Sequence, residues 1–390
     1  MTDTALTLLK DWLLRDALPL WAERGVDNSD GGFFERLSPQ GDVLNDNRRA
    51  RLVGRQIYAF SVADALGWSG PARALVAHGV DFLLDRMIQG DAIVPLVSPR
   101  DWSGPVHFDL YDQAFVLFGL AAAADVDPRR EMLIDLAARL RNRMLHGWKH
   151  PIGGFEESAP PTTPLKANPH MHMLEASLAW AAVSDEDGRW ARLADEIVEL
   201  CLERFLDPDN GALREFFDAN WGRLDGQGLD VVEPGHQFEW AWLLIRWGVS
   251  RDRKDAISAA RRLISLAETF GVSSQGLAVN ELEPDLDVRV SRHRLWPQTE
   301  RIKAFVALGW IAETEAESTF AREKVEDAAR GLLRFLEHPV AGAWWEHLEV
   351  DGTPAPEPVR ASSLYHITCA ISEMTRQRPA RADQEAREQG

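Results

Sequence analysis

The chain has 390 residues and a formal net charge of −18, from 43 basic and 61 acidic residues. An acid excess of this size gives no attraction to phosphate backbones or anionic lipid, which argues against nucleic-acid and membrane partners and leaves a small-molecule partner open. The two cysteines, Cys201 and Cys369, lie far apart and outside any CxxC pair, so a disulfide framework is not expected and a reducing compartment, the cytoplasm, is.

The N-terminal stretch carries Asp3, Lys10, Asp11 and Asp16 among its apolar residues, which does not fit a signal peptide, and no run of 18 apolar residues occurs. Apolar residues then recur at i, i+3, i+4 and i+7 in twelve segments. In chain order these predict helices over 4–23, 50–66, 71–88, 109–125, 128–145, 170–184, 188–206, 236–249, 252–270, 298–313, 318–337 and 361–376. Pro71 and Pro128 sit at first-turn positions, and Gly271 falls where a C-cap glycine belongs.

Short glycine turns separate the helix pairs. They stand at Gly32, Gly90, Gly154, Gly211, Gly276 and Gly342, spaced 57 to 66 residues apart, and most run into an aromatic or apolar residue and then an acid. Six recurrences of one long period indicate one helix-pair unit used six times. The helices around 128–145 and 252–270 are charged on one face and read as outer; those around 109–125, 170–184 and 236–249 are apolar nearly all round and read as inner. Six outer and six inner helices make an all-α (α/α)6 barrel, with the open solenoid as the alternative. The glycine turns are expected to form short β pieces at one end, and the polar residues at the inner-helix starts to line a cavity at the other. No linker interrupts residues 1–377, which read as one domain; the polar tail 378–390 is expected to fray.

Polar and aromatic residues gather at the inner-helix starts: Arg55, Tyr111, Asn168 with His172, His236 with Glu239, Trp296 with Gln298 and Glu300, and His366. Convergence of this kind from six repeats is what a ligand cavity looks like. His172, His236 and His366 are taken to occupy corresponding places in three repeats. His170, two residues from His172, faces another way and is read as structural, as are His293 and His347; Glu175 is read as a tie between helices. No HExxH, cysteine cluster or carboxylate triad is visible, so no metal is expected, and no dinucleotide or phosphate loop occurs.

These segments resemble the N-acylglucosamine 2-epimerase superfamily, which includes mannose isomerases, sulfoquinovose isomerases and cellobiose 2-epimerases. The likeness lies in Asn168-Pro-His-Met-His172-Met-Leu-Glu-Ala, in Pro234-Gly-His236-Gln-Phe-Glu239-Trp-Ala-Trp, in Leu295-Trp-Pro-Gln298-Thr-Glu300 and in Tyr365-His366. It implies an (α/α)6 barrel and cofactor-free proton transfer at C2 of an aldose, with His236 and His366 as the acid–base pair. It also implies sugar contacts from Arg55, Tyr111, Asn168, His172, Glu239, Trp296, Gln298 and Glu300. Ala361 and Ser362 stand where several members carry Gln or Trp. The resulting expectation is a mannose–fructose isomerase acting as a monomer or homodimer; the alternatives are a sugar 2-epimerase, a glycoside hydrolase using Glu239 with Glu300 or Asp112, and a non-catalytic repeat protein.

Overall fold

A computed structural model describes residues 4–224, 226 and 228–376. The tail 378–390, expected to fray, lies outside the described residues. The inner helices are α3 (Ala50–Ala65), α5 (Leu110–Ala124), α7 (Ala167–Val183), α9 (Pro234–Arg251), α11 (Leu295–Trp310) and α13 (Ser363–Thr375). Outside them lie α4 (Ala72–Phe82), α6 (Arg130–Gly147), α8 (Arg189–Leu200), α10 (Lys254–Phe270) and α12 (Glu315–Phe335), together with the N-terminal pair α1 (Thr4–Trp12) and α2 (Leu18–Arg24). α1 and α2 are joined by a π-helical turn, Leu13–Ala17, so they form one continuous outer rod.

Each inner helix packs on the next, and α13 packs on α3, which closes the ring. The protein is an (α/α)6 barrel. α3 and α5 approach so closely that a Cβ at Gly54 would lie 2.0 Å from the Phe115 carbonyl oxygen. Leu, Ile, Phe and Trp side chains fill the layer between the two rings, among them Trp21, Trp180, Trp240 and Trp344.

All six repeat glycines have positive φ, from +67° at Gly90 to +82° at Gly342, a conformation open to glycine and strained for other residues. Each turn follows an outer helix and precedes the next inner helix, and at α3, α7 and α11 a short strand runs directly into the helix. The β pieces and the inner-helix starts therefore lie at the same end of the barrel, not at opposite ends as the sequence suggested. The strands join neighbouring repeats: Arg48–Arg49 pairs with Leu96–Val97, Leu165–Lys166 with Phe216–Phe217, and His293–Arg294 with His347–Leu348. Val359–Arg360 pairs back to Arg36–Leu37, so the β rim closes as the helices do.

α7 and α11 begin three residues earlier than predicted. Pro169 and Pro297 stop the sequence pattern, but each is the third residue of its helix, where no intrahelical partner is needed for the missing N–H.

Candidate active site

The cross-repeat hydrogen bonds set a common register. The backbone N–H of Ala50, Leu110, Ala167, Leu295 and Ala361 each donates to a carbonyl of the neighbouring hairpin, and Pro234, which has no N–H, holds the equivalent place in α9. Five residues on from these positions stand Arg55, Phe115, His172, Glu239, Glu300 and His366. His172 and His366 are thus equivalent, but His236 is not: it lies one turn nearer the mouth, and Glu239 takes the corresponding place. The sequence reading had grouped the three histidines together because their helix starts could not be aligned across Pro234.

A chamber of about 250 Å³ opens at this end, lined by Arg55, Tyr111, Asn168, His172, His236, Glu239, Trp296 and His366. Eight of the ten anticipated residues thus meet in one cavity. Gln298 does not. Its amide accepts from Ala278 N–H at 2.9 Å and donates to the Ala278 and Arg294 carbonyls, which ties α11 to its hairpin. Gln237 makes the same tie to Leu213, and His170 takes the N–H of Phe155, so this register position is structural. Glu300 is fully buried and meets His366 from behind, at 2.9 Å from Nδ1. Asp112, a carboxylate weighed for hydrolysis, accepts the Arg51 N–H and is absent from the chamber wall.

The two histidines have opposite electrostatic settings. In its ionised form Glu300 can only accept, so the contact then places the proton of His366 on Nδ1 and leaves Nε2 bare. Burial, with the positive charges of Arg55 and Lys303, holds the His366 pKa well below the ordinary imidazole value. His236 Nδ1 lies 3.0 Å from Glu215 Oε2 and 3.8 Å from Glu233 Oε2. Burial alone would lower its pKa, but these two carboxylates reverse the effect and bring it to about 10. At neutral pH His366 is neutral and His236 is protonated.

Trp296 touches both, with its ring centroid 4.9 Å from that of His236 and 5.8 Å from that of His366. Gly235 makes room for this indole, because a Cβ there would come within 2.4 Å of its ring carbons. Across the chamber, Arg55 donates to the Tyr111 hydroxyl at 2.7 Å and stacks over Phe115. His172 Nδ1 lies 3.3 Å from Glu175, whose two oxygens accept from Tyr365, so Glu175 does tie α7 to α13.

Beneath the chamber lies Lys303, a residue that sequence reasoning passed over. Its ammonium is fully buried, 2.5 Å from Glu300, 3.6 Å from Glu239 and 3.9 Å from the Trp242 ring centre. Burial raises the pKa of both glutamates to about 7, against the pull of Lys303. Both oxygens of Glu239 lack a hydrogen-bond partner, so a polar ligand in the chamber finds open acceptors there.

Glu215 was also missed as a site residue. In the first, third and sixth repeats the equivalent Glu35, Glu157 and Glu346 accept a backbone N–H just ahead of their own inner helix, from Arg49, Lys166 and Arg360. In the fourth repeat the carboxylate turns to His236 instead. The glycine–acid turn was the sequence signal, but it had been assigned to the far end of the barrel.

Among the described residues, three groups of carboxylates and histidine come within metal-ligand reach of one another: His172, Glu175 and Glu239; Glu215, Glu233 and His236; Glu239, Glu300 and His366. They draw on different helices and hairpins, so their spacing in sequence did not reveal them. Each is already charge-compensated or protonated. Glu215 and Glu233 favour the protonated form of His236, and the Lys303 ammonium lies against Glu239 and Glu300, so a further cation would have to displace a charge already in place.

Residues 32–370 match the family model for N-acylglucosamine 2-epimerase. The chain is 41% identical over 372 residues to a protein of Rhizobium meliloti (strain 1021) named mannose-6-phosphate isomerase, covering 94% of this chain and 95% of that protein. Among solved structures, a cellobiose 2-epimerase from Bacillus thermoamylovorans B4167 superposes with a TM-score of 0.83 at 19% identity, covering 96% of this chain and 99% of that one. A D-mannose isomerase gives a TM-score of 0.82, also at 19% identity, over 96% and 98%. At that identity the structural likeness speaks for the barrel alone, and the family match rests on the sequence. No described helix is long and apolar enough to cross a membrane. The protein is a sugar isomerase or epimerase, and the chain belongs to the N-acylglucosamine 2-epimerase family.

Proposed function

We propose that the protein is an aldose–ketose isomerase that interconverts D-mannose and D-fructose without a metal, and that His366 and His236 move the protons. The observation that carries this reading is the pair itself: a neutral and a protonated imidazole in contact with one indole in one chamber, each beside its own carboxylate. Groups whose surroundings push their pKa values apart divide into base and acid.

His366 Nε2 takes the C2 hydrogen as a proton, and the C–H electrons form the C1=C2 bond of an enediol. His236 gives its proton to O1 as that oxygen gains charge. In the second half His236 takes the O2 proton back, C2=O forms, and His366 returns its proton to C1. Protons and electrons balance with no oxidant. Arg55 stands at the chamber wall as a cationic donor for the developing oxyanion.

The chamber volume of about 250 Å³ falls near the low end of small-molecule sites, about 300–1,000 Å³, which suits one monosaccharide ring. The name of the Rhizobium meliloti relative supports a mannose skeleton.

A 2-epimerase is the second reading. The placement of His236 and His366 against the same indole favours it, since two acids on opposite faces of C2 would serve inversion. Short incubations with mannose in D2O, followed by NMR, separate the two. Fructose appearing before glucose supports isomerisation. Glucose first, labelled at C2 and without fructose, assigns the protein to the epimerases.

A further inference from the structure

The chamber opens outward into a vestibule of about 940 Å³, and Arg55, Arg360 and Ser362 line both spaces. The two volumes are therefore parts of one path from solvent to the histidines. Their walls differ in chemistry. The chamber presents Tyr111 and Trp296, flat apolar faces of the kind that pack on sugar rings. The vestibule has no aromatic side chain on its wall. It has six arginines, Arg36, Arg49, Arg51, Arg55, Arg100 and Arg360, against two carboxylates, Glu35 and Asp46.

This concentration of positive charge stands out in a chain with a net charge of −18. Part of it is spent internally. Arg36 makes a two-pronged contact with Asp46, Arg49 lies 3.4 Å from Glu35, and Arg51 reaches Asp112 at 3.4 Å. The remainder is available. Arg55 meets the Tyr111 hydroxyl, Arg100 uses its backbone on Ser98, and Arg360 reaches Glu357 only at 3.9 Å. Among the described residues, neither Arg55 nor Arg100 has a carboxylate within 4.0 Å. Guanidinium groups with free donors, gathered at the mouth of a sugar-sized chamber, match the oxygens of a phosphate ester, which they grip through paired N–H donors. A second neutral sugar ring would instead want an aromatic platform, and the vestibule has none.

We propose that the vestibule is a phosphate subsite: besides the free sugar, the site takes, and prefers, a hexose whose carbon chain carries a phosphate ester at the end remote from C1, with the reacting carbons beside Arg55 in the chamber and the phosphate at Arg100 and Arg360. This rests on the chamber being the sugar site. The arginines raise the local concentration of an anionic substrate and fix which end enters first.

The test compares kcat/KM for mannose 6-phosphate, mannose and a mannose-containing disaccharide, at low and high KCl, in the wild-type protein and in Arg100→Gln and Arg360→Gln. The expected result is a phosphorylated-to-free mannose ratio of at least about tenfold, shrinking as salt screens the arginines and falling in both variants. Equal values for the two monosaccharides, preference for the disaccharide, or a ratio that neither variant changes would overturn the subsite while leaving the isomerase reading intact. If no sugar is converted, the isomerase reading fails, and the subsite is then judged by calorimetry with inorganic phosphate. Binding that weakens at least about fivefold in Arg100→Gln supports it; absent or unchanged binding overturns it. Inorganic phosphate binding alongside no advantage for the phosphorylated sugar shows a free-anion site and also overturns the proposal.

Discussion

Glu215 Oε2 stands 3.0 Å from Nδ1 of His236 and turns a buried imidazole into a cation. The folded protein holds that proton more tightly than the unfolded chain, so the pair stabilises the fold fully below the unfolded imidazole pKa of about 6.5. This contribution is lost as pH rises through about 10. For catalysis, the protonated acid persists well into the alkaline range. The pH profile of kcat/KM should have its basic limb near 10, and Glu215→Gln should move that limb toward neutrality. An unmoved limb in the variant would separate Glu215 from the acid.

The acid limb belongs to His366 in this scheme. Its base form must be neutral, and its pKa lies well below the ordinary value. Activity should therefore persist below pH 6.5 and fall only at more acidic pH. Replacement of His366 or His236 by Asn should lower kcat by at least about 10²-fold with an unchanged circular dichroism spectrum. Activity within a few-fold of wild type in either variant would refute the pair.

Lys303 compensates Glu239 and Glu300, and all three side chains are buried. Lys303→Met leaves two buried carboxylates facing each other. It should destabilise the protein by about 3–5 kcal/mol, read as a lower midpoint in urea. A midpoint unchanged from wild type would mean that the glutamates are protonated in the folded state and need no cation.

Gly235→Ala places a methyl group against the Trp296 ring. The expected stability loss is about 1–3 kcal/mol, with a fall in kcat/KM of up to about 10²-fold, because the indole that touches both histidines must shift. A variant that loses stability but keeps wild-type kinetics would show that the indole position does not matter to turnover.

Chelation offers a separate check. Prolonged EDTA treatment should leave activity unchanged, since His236 is protonated and the neighbouring carboxylates are held by Lys303. Loss on chelation that one divalent ion restores would overturn the acid–base assignment.

The barrel was legible because its period is carried by six glycines that need positive φ and by helices whose polarity alternates with their place in the ring. Most of the chamber was legible because its polar side chains break otherwise apolar faces: Arg55 in α3, His172 in α7, and His236 with Glu239 in α9. Three features were hidden for physical reasons. Gln298 looks like a sugar contact, but its partners are backbone groups of the hairpin that precedes its helix, which have no sequence signature. Lys303 looks like an ordinary helix charge, and only closure of the ring buries it. Glu215 needs the fold of its hairpin to reach a helix that starts nineteen residues later in the chain.

The rim seam between Arg36–Leu37 and Val359–Arg360 bears on how the molecule assembles. Beside it, Gln56 Nε2 donates to the carbonyl of Ala361 at 2.7 Å, across 305 residues of chain. Every other repeat junction can zip onto a neighbour just upstream, but this one must bring the first and sixth repeats together and bears the largest loop-closure entropy of the ring. Arg55 lies on α3 and His366 on α13, on either side of this seam, so the chamber is walled in only once α13 has docked on α3.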